Sequence, residues 1–178
     1  MTAKIITNII LIIGLGVAQI AFITALPGLA GNLNLALVVL IFILGFSGFN
    51  LAGWWAAGLG FLLEIFSFSP FGAYLVSLSL TIIIANWLLN YFFTNRSLYS
   101  FLALAGLATV IYELIINFFI LIFIERSPAA SIIAGDFWFP LIKQIGPNLL
   151  ATFIIYYVIY FLGRNLKPVF LIKGPIRQ

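Results

Sequence analysis

The stretch LNLALVVLIFILGFSGFNLAGWWAAGLGFLLEIF, residues 33–66, decides the fold. It is apolar almost throughout, and Glu64 is its only charged residue. Wound as one helix it would run about 50 Å, far more than the hydrocarbon core of about 30 Å. The chain must therefore turn within it. The cluster Gly45, Ser47, Gly48, Asn50 and Gly53 is the natural place for the break. Two short spans result, about 33–46 and 51–66, one of them tilted, partly re-entrant or extended into the headgroups.

Working outward, further apolar runs occupy about 5–26, 71–93, 98–124 and 147–163, and a basic tail covers 164–178. Residues 1–178 are thus expected to form a single polytopic membrane domain, an all-α bundle of about six transmembrane helices. Composition agrees. Of the 178 residues 65% are hydrophobic and only 7% charged, where a soluble domain is about a quarter charged. The first run is longer than a signal-peptide core of about 7–15 residues, so a retained helix is expected.

Two absences narrow the chemistry. Without cysteine there are no disulfides, thiolate metal sites or cysteine nucleophiles, and without histidine there is no imidazole base. The carboxylates are Glu64, Glu113, Glu125 and Asp136. This inventory disfavours catalysis and points to no metal or other cofactor.

Orientation follows from the basic residues. In a six-span arrangement Lys4, Arg96, Arg164, Lys167, Lys173 and Arg177 share one side, while Arg126 and Lys143 lie on the other beside Glu125 and Asp136. Both termini are therefore expected in the cytoplasm, with residues 125–143 outside. Trp54, Trp55 and Trp87 fall toward the cytoplasmic interface, and Phe137, Trp138 and Phe139 toward the outer one. The basic tail is expected to rest against anionic lipid in preference to docking a cytoplasmic partner, which accounts for the net charge of +4 without nucleic acid.

Polar residues inside the spans need partners, since lipid offers none. Ala105, Thr109, Glu113 and Asn117 recur every four residues along one side of the fifth helix. Ser79, Asn86 and Asn90 share a face of the fourth, and Asn148, Thr152, Tyr156 and Tyr160 a face of the sixth. These stripes should point inward. Glu113 lines either a proton or substrate path or acts as a hydrogen-bonded hub with Asn117, Asn86 and Asn90. A path needs further ionisable groups at that depth, so the hub is preferred. Gly53, Ala57, Gly60 and Glu64 give the third helix a small-residue face suited to close helix approach.

The run GLGFLLEIFSFSPFG, residues 58–72, resembles the best-marked segment of the bacterial rod shape-determining protein MreD family. The matching features are Gly58, Gly60, Glu64, Ser69, Pro70 and Gly72; the family more often has aspartate where Glu64 stands. Chain length, the six-span layout and the pair Tyr112 and Glu113 are also similar to that family. The resemblance implies a fold like that of the S components of energy-coupling factor vitamin transporters. It implies a non-enzymatic bacterial inner-membrane scaffold of the cell-elongation machinery for peptidoglycan synthesis, with MreC as partner. On that reading Gly53, Ala57, Gly60, Glu64, Pro70 and Gly72 serve partner binding or helix packing.

The alternative is a vitamin-binding S component, which should show polar and aromatic side chains converging near the outer face. Glu125, Arg126, Asp136 and Trp138 are candidates for such a site. An intramembrane hydrolase ranks last, because Glu113 has no nucleophile or base close in sequence.

Overall fold

A computed structural model of the chain describes residues 2–67, 69–93, 97–123 and 138–170. Glu125, Arg126 and Asp136 of the expected outer loop, Arg96, and Lys173 and Arg177 of the tail lie outside the described residues. Helix α1 (Thr2–Val17) continues as a π-helical segment (Ala18–Ile23), followed by a 3-10 helix (Gly28–Asn32). Then come α2 (Leu35–Ser47), α3 (Phe49–Phe66), α4 (Ala73–Tyr91), α5 (Leu98–Phe123) and α6 (Trp138–Phe170). The described residues contain helices and no strand.

Five segments are long and apolar enough to cross a membrane: Ala3–Ile23, Phe49–Phe66, Ala73–Tyr91, Leu98–Phe119 and Trp138–Leu162. Their outer faces carry Ile9, Phe118, Leu150 and Phe161, each more than half exposed. Such a surface is unstable in water and suited to lipid. The chain is a multi-pass membrane protein.

Helix α2 differs from the others. Its 13 residues span about 20 Å, short of the hydrocarbon thickness. It is apolar on every side, and a helix without a polar face belongs in an interior. Ala36, Leu37, Leu40 and Leu44 are wholly or almost wholly buried, and α2 touches α3, α4, α5 and α6. Near its C-terminal end Phe42 stacks on Phe101 of α5 with ring centroids 4.9 Å apart. The turn between α2 and α3 falls at Gly48, whose φ of 90° and ψ of 176° suit glycine alone.

Helices α3 and α4 form the closest pair. At Gly60 a Cβ would lie 2.6 Å from the Leu75 Cα and 3.2 Å from the Tyr74 carbonyl oxygen. Only a residue without a side chain allows this approach. The connection turns at Gly72, in the left-handed region with φ 95°, after Pro70. Helix α1 is peripheral, leaning on α3 where Ile12 meets Gly58 and Leu62 meets Gly16.

Four expectations need correction. The sixth helix is already formed at Trp138, upstream of Pro147, so residues 138–143 are helix rather than loop. Tyr160, expected to face inward, is exposed, and Trp55, expected at the interface, is buried. Asn86 and Asn90 stand apart from Glu113: the Asn90 Nδ2 donates to the Asn86 Oδ1 at 3.3 Å near the far end of α4. The inward polar pair of α4 is instead Ser77 and Thr81, with the Thr81 hydroxyl donating to the Ser77 carbonyl at 2.6 Å.

Candidate functional site

The end of the bundle that gathers the α1–α2 connection, the α3–α4 turn and the start of α6 contains a cavity of about 680 Å³. Its construction begins with a problem in backbone chemistry. Helix α2 starts inside the protein, and the first N–H groups of any helix have no partner within it. Buried and unpaired, each would cost about 1–3 kcal/mol.

Three side chains resolve this. The Asn34 N–H donates to the Asn148 Oδ1 at 2.8 Å, and the Leu37 N–H to the Asn34 Oδ1 at 3.0 Å. The Leu35 and Ala36 N–H groups both donate to the Gln19 Oε1, at 2.7 and 3.4 Å. Gln19 also donates from Nε2 to the Leu33 carbonyl at 3.0 Å. It lies on the π-helical segment, a distortion that often accompanies function. Asn148 in turn donates to the Thr109 hydroxyl at 2.9 Å, tying α6 to α5.

One turn beyond Thr109 on the same face lies Glu113, 6% exposed and on the cavity wall. The Asn117 Nδ2 donates to the Glu113 Oε2 at 3.1 Å and to its backbone carbonyl at 2.8 Å. Gln144 of α6 lines the same cavity, and its Oε1 is buried with no partner. Tyr112 and Tyr74 line the same space, with Phe66, Leu63 and Ile20 as apolar wall.

Glu64 works just behind this wall. Its Oε2 accepts from the Tyr74 and Leu75 N–H groups at 3.0 and 3.2 Å, while Oε1 is buried without a partner. A carboxylate from α3 thus caps α4, where the helix dipole favours negative charge. The expected small-residue face of α3 accordingly splits. Gly60 and Glu64 are spent on α4 within the chain. Gly53 faces open space, and Ala57 lines an apolar crevice of about 640 Å³ between α1 and α3.

Of the residues singled out in sequence, Glu113 and Asn117 are brought together in the cavity, and Pro70 and Gly72 form the corner beside it. Gln19, Asn34, Tyr74 and Gln144 were not singled out. The signal available for the two glutamines was an uncharged amide inside or bordering an apolar run, the kind of residue lipid penalises. Compared with family models, curated proteins and solved structures, the chain matches none of them.

Proposed function

We propose that this chain is a non-enzymatic membrane scaffold of the MreD kind, acting with the single-span protein MreC in bacterial cell elongation and peptidoglycan synthesis. The observation that carries the reading is the α3–α4 corner. Within the 58–72 segment on which the resemblance rests, Gly60 sits at the helix crossing, Glu64 caps α4 and Gly72 lies at the turn. Both termini lie in the cytoplasm of a bacterial inner membrane on this reading, in keeping with the distribution of basic residues.

The partner helix lies along the crevice between α1 and α3, lined by Ile9, Ile12, Trp54 and Ala57. Helix association in lipid draws on close packing, and α1 is thinly packed on that side. The test is co-purification with MreC from mild detergent, wild type against Ala57→Phe. Wild type should recover MreC, and Ala57→Phe should recover less while keeping the wild-type unfolding temperature. Wild type that recovers no MreC sinks the proposal.

The cavity favours a second reading, a substrate-binding subunit resembling the S components, because polar and aromatic groups converge there. Saturable binding of a soluble vitamin by a chain that does not recover MreC would make this the better reading.

A further inference from the structure

We propose that the cavity binds a primary ammonium group, held by Glu113, Gln144 and Asn117. The inference concerns the cavity itself and stands whether or not the chain is a scaffold.

The argument is an inventory of donors and acceptors. Gln144 lines the cavity together with Glu113, and its Oε1 is buried without a hydrogen-bond partner. Asn117 spends its Nδ2 on the carbonyl and carboxylate of Glu113, so Oδ1 is the atom left to accept. The Glu113 carboxylate is the third acceptor and the only charged side chain among the described residues lining the cavity. Three acceptors, one of them a carboxyl group that a bound cation would hold ionised, with no lysine or arginine among those lining residues, call for a cation rich in donors. A primary ammonium offers three N–H donors and one positive charge. A quaternary ammonium carries the charge without donors, and an alcohol has one donor without charge.

The surroundings fit the rest of such a molecule. Tyr74 and Tyr112 line the same cavity, and aromatic faces attract cations. Ile20, Leu63 and Phe66 provide an apolar wall for a hydrocarbon body. A volume of about 680 Å³ is within the range of small-molecule sites. Two sources present this chemistry at a membrane: a soluble aryl- or alkylamine, and the ethanolamine head of a phospholipid.

The experiment uses the full chain in phosphatidylcholine nanodiscs, whose lipid contains no primary amine. The unfolding midpoint is followed with phenethylammonium, its N,N,N-trimethyl analogue and 2-phenylethanol. A parallel preparation contains phosphatidylethanolamine. Phenethylammonium should raise the midpoint in a saturable way while both analogues leave it unmoved. A rise only in phosphatidylethanolamine assigns the site to the lipid head. Glu113→Gln and Gln144→Leu should each weaken binding at least about tenfold. If Glu113→Gln does not fold, Gln144→Leu decides. Equal response to the trimethyl or neutral analogue, no response in either arm, or undiminished binding by the folded variants overturns the proposal.

Discussion

The side chain of Asn148 accepts the backbone N–H of Asn34 at 2.8 Å, although the two lie 114 positions apart. Both are buried, and Asn148 also bridges to Thr109 at 2.9 Å. One amide from the last helix thus serves the start of the second and the middle of the fifth. Replacing Asn148 with leucine strands the backbone N–H of Asn34, while the Thr109 hydroxyl keeps its bond to the Ala105 carbonyl at 2.8 Å. The expected loss is about 1–3 kcal/mol. Thermal unfolding in detergent measures it, and a wild-type midpoint for Asn148→Leu would show that the bridge contributes nothing.

Gly60 and Gly53 lie on the same helix and should respond oppositely to alanine. At Gly60 the new methyl meets the backbone of α4, which cannot rotate away as a side chain can. Gly60→Ala is expected to cost about 1–3 kcal/mol through overpacking. At Gly53 the methyl enters open space, and alanine favours the helix by up to about 1 kcal/mol. Comparing the two variants by resistance to proteolysis decides it; equal resistance would contradict the crossing geometry.

For Glu64 the quantity to watch is local. Glu64→Gln keeps an oxygen to accept from the Tyr74 and Leu75 amides, whereas Glu64→Leu removes it. Hydrogen exchange at those two amides should accelerate at least about fivefold in the leucine variant, the equivalent of about 1 kcal/mol, and stay near wild type in the glutamine variant. Unchanged exchange in the leucine variant would remove the cap.

Orientation can be read directly, because the chain has no native cysteine. With both termini in the cytoplasm, a cysteine at Ser131 should react with an impermeant thiol reagent in intact cells, and one at Ser97 should not. The reverse pattern would invert the proposed topology.

Particular residues show what the sequence made legible. The break within 33–66 was visible because no helix of that length fits the bilayer and glycine clusters there; it falls at Gly48. The inward stripe from Ala105 to Asn117 was visible because a four-residue period in an apolar helix leaves little choice of face. Asn86 and Asn90 follow the same period yet satisfy one another locally, so periodicity alone could not assign them inward. Gln19 was illegible for a different reason. Its partners are backbone groups at the start of another helix, and nothing in its own neighbourhood announces a buried helix end 16 residues away. Gly60 read as an open contact face because a sequence shows small residues without showing which neighbour already occupies them.

The buried start of α2 also sets an order of assembly. Gln19 leaves the ribosome before α2, but Asn148 belongs to the last helix and is made more than a hundred residues later. Until α6 arrives, the Asn34 N–H waits in apolar surroundings without its acceptor. Closure around the start of α2 therefore waits for α6. A bundle without α6 keeps an unsatisfied backbone group at the start of α2, so the arrival of α6 is what fastens α2 in place.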